Sequence, residues 1–376
     1  MLAKLQIPAV LILCCLLLGG CQNASQDSAV SPTDGNQSSG TKYVAISVLT
    51  NTIPFYQDLT GQLEEVLKEH GYELIITSGD RDAAKQQDQV EDFIIKKVSA
   101  IVLCPCDSQA IGPAIKKAND AGIPVFTADI ACLAEGVDIV SHVASDNYFG
   151  GQLAAKTMIE AIGGKGKIAL LEYPEVESVL MRTNGFEDTI KEHNQGGGDQ
   201  IEIVAKLPSE GDRKKAFDAV KDILGPHPDL TGVFAINDEC ALGAYAALES
   251  RGKANDVVLI GFDGSPEAKQ AILAGQIFAD VVQYPGKIGA QTGQAIIDFF
   301  DGEDVPSEIL VPTGVYAKAD AESDPALQQR RESSHTCTTP AEDRHLFHRV
   351  SDQRERARTN RAEARVWLAA LPPYDS

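Results

Sequence analysis

The chain has 376 residues, 43% of them hydrophobic, enough for two domains of ordinary size with cores of their own. Its formal net charge of −21 excludes nucleic acid as a partner, because the phosphates would repel it. The acidity itself asks for nothing beyond solubility.

The first segment is a targeting signal and stands outside the fold. Lys4 precedes an apolar run from Ile7 to Leu18 that is too short to cross a bilayer as a stable helix. The run stops at Leu18-Gly19-Gly20-Cys21, which resembles the bacterial lipoprotein signal, whose cysteine is lipidated and becomes the new N-terminus. An ordinary secretory signal with an incidental cysteine is the plainer alternative. Residues 1–20 are thus read as signal peptide. Residues 21–41, rich in Ser, Asn, Asp and Gly, are read as a flexible tether. The protein is expected outside the cytoplasm, held to a membrane by lipid on Cys21.

From Tyr43 strands and helices alternate. Tyr43–Leu49 reads as a strand; Leu59, Leu63, Val66 and Leu67 follow at helical spacing, and Gly71 closes the helix. Further strands are predicted at Glu73–Thr77, Ala100–Leu103, Pro124–Thr127 and Ile139–Val143. Helices bearing Val90, Phe93 and Ile94, then Ile111, Ile115 and Ala118, lie between them. The pattern restarts with a helix over 150–162, strand Ile168–Glu172, helix Asn184–His193, strand Ile201–Lys206 and helix Arg213–Leu224. Three short apolar runs follow, ending abruptly at Asn237-Asp238, Asp263-Gly264 and Gln283. Two βα runs of similar size predict an α/β protein with two doubly wound, parallel-sheet lobes. In such sheets the ligand crevice lies outside the carboxyl ends of the strands. Amides and carboxylates at those ends suit the grip of a small polyhydroxylated molecule and require no activated nucleophile.

Catalytic motifs do not occur. Gly163-Gly164-Lys165-Gly166-Lys167 has the look of a phosphate loop, but Ile168 stands where Ser or Thr would hold magnesium, and the glycine spacing differs. A binder is expected, not an enzyme, with no cofactor and no metal. Cys104 and Cys106 flank Pro105 at a strand end, and Cys132 follows the next strand. Neighbouring strands lie ~4.8 Å apart, so a bridge from Cys132 to either is geometrically open, beside the plainer reading of inert thiols. Cys-x-Cys without a nearby histidine is weak evidence for metal. Cys240 sits on an apolar helix face and is read as core.

The motifs in order carry a resemblance to the bacterial periplasmic sugar-binding proteins of type I, and within them to the ribose binders of ATP-driven (ABC) importers. They are Ser47-Val48-Leu49 through Pro54-Phe55-Tyr56, Ser141 to Asn147, Arg182 to Phe186, Phe234 to Glu239, Gly261-Phe262-Asp263-Gly264 and Gln283-Tyr284-Pro285. The likeness covers roughly 42–318. It implies three hinge crossovers, near Ser145-Asp146, Gln283-Tyr284 and Pro312. One lobe then takes 42–145 and 284–312, and the other takes 146–283 and 313–320.

The resemblance also implies ligand contacts. Phe55 and Tyr56 match a pair of aromatics lying against a sugar ring, whose C–H faces are apolar and whose rim carries hydroxyls. Asp129 and Asp263 match two sugar-binding aspartates, against the alternatives of a helix cap and of a turn residue before Gly264. Arg182 offers a five-donor fork; the plainer reading is a surface ion pair with Glu187. Asn237 and Gln283 both donate and accept, and each also has a structural reading as an amide bonding nearby backbone.

Three departures stand out. Against the pattern of the ribose binders that the chain resembles, Ile130 occupies the place of an arginine, a phenylalanine expected near Gly211 is missing, and Asn51-Thr52-Ile53 is one residue longer than the stretch it replaces, with Asn51 as the substitute for an asparagine. A pentose, a hexose or a cyclitol is therefore expected as ligand. The expected role is the substrate-binding lipoprotein of an ABC sugar importer, a monomer that delivers a monosaccharide to an inner-membrane permease. A ligand-binding subunit of a sugar-sensing receptor is the alternative. A sugar-responsive repressor would need a basic helix-turn-helix where the lipidation signal sits. Residues 321–376 change character, with nine arginines, no lysine and the only tryptophan, and no role is assigned to them.

Overall fold

In a computed structural model of the chain, residues 41–198 and 200–328 are described. The signal, Cys21, nearly all of the tether and the arginine-rich tail from 329 onward lie outside the described residues.

The first sheet is built from β1 (Lys42–Val48), α1 (Pro54–Glu69), β2 (Tyr72–Ser78), α2 (Ala83–Lys96), β3 (Ala100–Leu103), α3 (Gly112–Asp120), β4 (Val125–Ala128) and β5 (His142–Ser145). The chain then crosses to a second sheet. This one is built from α4 (Asn147–Ile162), β6 (Gly166–Glu172), α5 (Glu177–Gln195), β7 (Ile201–Pro208), α6 (Arg213–Leu224), β8 (Leu230–Ala235), α7 (Asp238–Ser250), β9 (Val258–Asp263), α8 (Pro266–Ala274) and β10 (Ala279–Val282). Helix α9 (Pro285–Asp301) and β11 (Glu308–Val311) return to the first sheet; β12 (Gly314–Ala317) and α10 (Lys318–Ser323) end on the second.

The strand orders are β11-β5-β4-β3-β1-β2 and β12-β10-β9-β8-β6-β7. Every pairing is parallel except β10 with β12, which is antiparallel. Central strands are buried on both faces, which is why they read as unbroken apolar runs: all four residues of β3 are inaccessible. The turns that leave the strands are pinned by caps. Asp82, Asp212, Asn237 and Ser265 accept from backbone N–H groups in the first turns of α2, α6, α7 and α8. Each sheet is covered on both sides by helices, so two α/β lobes joined by three crossovers place their strand C-termini toward one another.

Several boundaries differ from the sequence reading. The strand expected at Ile139–Val143 runs from His142 to Ser145. It pairs with β4 at only two positions but with β11 along its whole length, so a partner some 165 residues away sets its limits. The helix expected at Asn184–His193 begins at Glu177, after Val176, which offers no side-chain cap to betray the start. Strand β4 starts one residue after Pro124, which has no N–H to give a ladder. Ala321 and Leu327 are buried in the core, so the chain stays packed past 320, where the change in composition was placed.

All four cysteines of the described residues are free thiols, so no bridge joins Cys132 to Cys104 or Cys106. Cys106 sits beneath Gly79 and directs its sulfur toward the carbonyl of Leu49. Burial pushes its thiol up to about 12, a protonated and unreactive state. Cys240 is in the core and contacts the Ser209 hydroxyl.

Candidate functional site

Phe55, Tyr56, Asp129, Arg182, Asn237, Asp263 and Gln283, scattered over 229 positions of sequence, all line one cleft between the lobes. The cleft holds about 450 Å³ of atom-free space, including the part open to solvent. The first lobe contributes the opening turn of α1 and the ends of β1, β2 and β4. The second contributes the ends of β6, β8, β9 and β10, the start of α5, and Gly211.

Pro54 occupies the first turn of α1 and turns the following two aromatics inward. Their rings meet edge to face, 5.2 Å apart at 78°. The Tyr56 hydroxyl donates to Asp129 Oδ2 at 2.8 Å. Tyr56 is therefore a buttress of the carboxylate as well as a wall, a role the resemblance did not imply.

Asp129 follows the last residue of β4 with φ of +65°, and Asp263 ends β9 with φ of +126°. Side chains rarely take up such backbone, and both strained positions carry a carboxyl into the same cleft, buried at Asp129 and largely buried at Asp263. Burial raises Asp129 to about 6, although the Arg182 charge and the Tyr56 hydroxyl pull the other way. Burial raises Asp263 to about 8, again against the pull of Arg182. Asp129 Oδ1 has no hydrogen-bond partner in the protein.

Arg182 is 4% exposed, and the surface pair with Glu187 does not form; Glu187 is taken by Lys206 at 2.6 Å. Its Nε donates to Asn147 Oδ1 at 2.9 Å and its Nη1 to the Ile236 carbonyl at 2.7 Å. The guanidinium carbon lies 3.9 Å from the centre of the Phe262 ring, and Nη1 lies 3.7 Å from Asp263 Oδ1. Gln283 Nε2 donates to the same Asp263 Oδ1 at 2.7 Å, which leaves Gln283 Oε1 without a partner. Asn237 divides its amide: Oδ1 caps α7 through the Cys240 N–H, and Nδ2 reaches the Gly211 carbonyl only at 3.4 Å. Its structural reading thus holds for the oxygen and leaves the nitrogen on the cleft.

Behind Asp263 lies a second layer of acids. Asp238 Oδ2 accepts from the Ser265 N–H at 2.6 Å, and Asp280 Oδ2 accepts from the Gly264 N–H at 2.8 Å. Their Oδ1 atoms, with no other partner, flank the backbone of Gly261. Burial and the Asp280 charge push the Asp238 carboxyl well above the usual carboxylate range. The Asp263-Gly264-Ser265 turn is therefore anchored from beneath.

Three polar cleft residues escaped the sequence reading: Ser178 at the start of α5, Arg81 and Tyr173. Arg81 comes from the turn after β2, and Tyr173 from the end of β6. Arg81 is one of only four arginines before residue 320. That scarcity was the available signal, but the flanking Asp80 and Asp82 made it look like an exposed charged turn. Asn51, expected to replace a binding asparagine, is exposed and is not among the cleft residues. Ile130 does line the cleft, as an apolar wall that is 1% exposed. Among the described residues no cluster of His, Cys, Asp and Glu could hold a metal ion.

The ribose import binding protein RbsB of Bacillus subtilis is 34% identical over 310 residues, 82% of this chain and 97% of that protein. A D-apiose import binding protein of Paraburkholderia graminis is 34% identical over 241 residues, 64% of this chain and 75% of its own length. An ABC transporter periplasmic solute binding protein from Actinobacillus succinogenes, solved with bound D-allose, matches with a TM-score of 0.68 at 30% identity, covering 75% of this chain and all of that one. A periplasmic binding protein domain model matches residues 44–304, and on these grounds the chain belongs to the periplasmic sugar-binding proteins of the type I fold.

Proposed function

We propose that this protein is the substrate-binding lipoprotein of an ABC-type importer, which captures a monosaccharide between its two lobes and delivers it to an inner-membrane permease. Membership of the family supports a location in the periplasm or otherwise outside the cytoplasm, and its named relatives are binding proteins rather than enzymes. Lipid on Cys21 would hold it to the membrane; loss of labelled palmitate from Cys21→Ala would test the anchor.

The observation that carries the reading is a set of three polar atoms on cleft residues that the protein itself leaves unpaired: Asp129 Oδ1, Gln283 Oε1 and Arg81 Nε. Buried polar atoms without partners are costly, and a ring of hydroxyls, each both donor and acceptor, would satisfy all three. Asp129, Phe55 and Arg81 come from one lobe and Arg182, Asp263 and Asn237 from the other, so bound sugar stabilises the closed arrangement.

A panel of pentoses, hexoses and cyclitols in thermal-shift and calorimetric titrations tests this. A specific ligand at a hundredfold excess over its dissociation constant stabilises the protein by ~2.7 kcal/mol. Asp129→Ala and Asp263→Ala should each weaken the best ligand by about 10- to 100-fold, the range for hydrogen bonds to charged groups. A panel that produces neither heat nor a melting shift would rule the proposal out.

A further inference from the structure

We infer that Asn147 is a positioning residue for the ligand: from outside the cleft, its side chain holds the Arg182 guanidinium in the orientation that keeps one nitrogen of the fork for a sugar oxygen. This inference rests on the sugar-binding reading of the cleft and names a residue through which that site works.

Asn147 is the first residue of α4 and follows the first crossover directly. The Asp146 N–H donates at 2.9 Å to the carbonyl of Val311, the last residue of β11 in the first lobe. Asp146 Oδ1 accepts from the Phe149 N–H at 3.0 Å and so caps α4. The start of the helix therefore asks nothing of the next side chain. Asn147 is nevertheless only 5% exposed, and it is not among the residues that line the cleft.

Its partner is Arg182, 35 positions along the chain: Asn147 Oδ1 accepts from Arg182 Nε at 2.9 Å. An arginine nitrogen only donates, so the amide has to present its oxygen here. Nη1 is taken by the Ile236 carbonyl at 2.7 Å, and the guanidinium carbon lies 3.9 Å from the centre of the Phe262 ring. The aromatic face sets the plane of the fork, and the two acceptors set its rotation within that plane. Nη2 has no acceptor among the described residues, and Arg182 lines the cleft. Two nitrogens are thus held by the protein and the third is left for a ligand.

The backbones on either side cannot shift to replace the amide. A Cβ at Gly151 would lie 2.0 Å from the Arg182 carbonyl, and one at Gly185 would lie 2.1 Å from the Tyr148 carbonyl, so α4 and α5 touch along this stretch. Without Asn147 Oδ1, Nε is a buried donor with no acceptor, and the fork regains one only by turning away from its present orientation.

A double-mutant cycle tests the inference. The purified full chain is titrated by calorimetry with D-ribose, D-allose and myo-inositol, as wild type, Asn147→Ala, Asn147→Asp, Arg182→Ala and the Asn147→Ala/Arg182→Ala double variant. Asn147→Ala should weaken the tightest of the three ligands by about 10-fold, and Asn147→Asp, which keeps the acceptor, should recover most of that loss. In the Arg182→Ala background the same alanine change should cost less than about twofold, because it acts only through Arg182. Asn147→Leu, of similar size but without an acceptor, replaces Asn147→Ala should the alanine variant not fold. A ligand-free readout runs beside the titrations: the Arg182 Nε–H resonance, assigned by its absence from Arg182→Ala. Its hydrogen should exchange at least about tenfold faster in Asn147→Ala than in wild type or Asn147→Asp. Losses that multiply in the double variant, an Asn147→Asp no better than Asn147→Ala, or exchange that is equally fast in wild type and Asn147→Ala would each overturn the assignment. A wild type that binds none of the three sugars removes the sugar-binding reading, and with it the role in binding. The exchange rates are measured without ligand, so that failure stays distinct from a failure of Asn147 to hold the guanidinium.

Discussion

Asp263 stands where a carboxylate is charged only with help, between the Arg182 guanidinium and the Gln283 amide and above the buried Asp238 and Asp280. Burial raises its carboxyl to about 8 and that of Asp280 to about 7. In the unfolded chain these groups titrate near 3.9. Below that value both states hold their protons. As pH rises toward 8 the unfolded chain releases protons that the folded protein retains, so folding loses stability across this window and levels off above it. The ligand-free melting temperature should therefore fall from about pH 5 to pH 8, and Asp263→Asn should flatten part of the slope. A wild-type profile that is flat or rises in differential scanning calorimetry would contradict this. The strand-end position of Asp263 was legible in the apolar run before it. The paired acids beneath were not, because Asp238 and Asp280 are 42 residues apart and meet only through the backbone of Gly261.

The helices that carry the site pack at close quarters. A Cβ at Gly151 of α4 would lie 2.0 Å from the Arg182 carbonyl of α5, and one at Gly289 of α9 would lie 2.0 Å from the Leu59 carbonyl of α1. No side-chain shift relieves a collision with backbone. Gly151→Ala should therefore push apart the pair of helices that positions Arg182, costing about 1–3 kcal/mol of stability in urea denaturation and weakening ligand as well. Gly289→Ala should do the same to the helix that presents Phe55 and Tyr56. An alanine variant at Gly61, where a Cβ would meet nothing within 4 Å, serves as the control. Helices with strong periodicity, such as α1 and α6, were readable because one face is apolar. The true start of α5 was hidden because its first turns bury Glu177, Ser178, Arg182 and Thr183, polar residues that a periodicity search takes for surface.

Across the whole molecule, the lobes touch at loops far apart in the chain. The Ser108 N–H, from the first lobe, donates to the Glu175 carbonyl of the second at 2.9 Å, and the Glu177 N–H donates back to Ser108 Oγ at 3.0 Å. Arg81 adds the bond to Gly211. These contacts join the two sides of the cleft, so they exist only while the lobes are closed. Ser108→Ala removes a buried acceptor worth about 1 kcal/mol and should lower ligand affinity about fivefold without altering the cleft itself. Small-angle scattering should show the ligand-free variant more open than wild type, and saturating ligand should bring both to the same radius of gyration. Identical scattering and affinity for the two proteins would show that the loops do not hold the lobes together.

Local sequence determined the alternation of buried strands and amphipathic helices, and with it the class of fold, because hydrophobic period and turn chemistry act over a few residues. It also determined the polar groups at the strand ends, since an apolar run buried on both faces of a parallel sheet ends at its first polar side chain. Tertiary structure alone decided which of those groups share a cleft, that Tyr56 serves Asp129, that Asn51 stays outside, and that Arg81 enters from a charged turn. Those outcomes depend on strand order and on the meeting of two lobes, where residues more than a hundred positions apart become neighbours. No periodicity within a segment encodes such a distance.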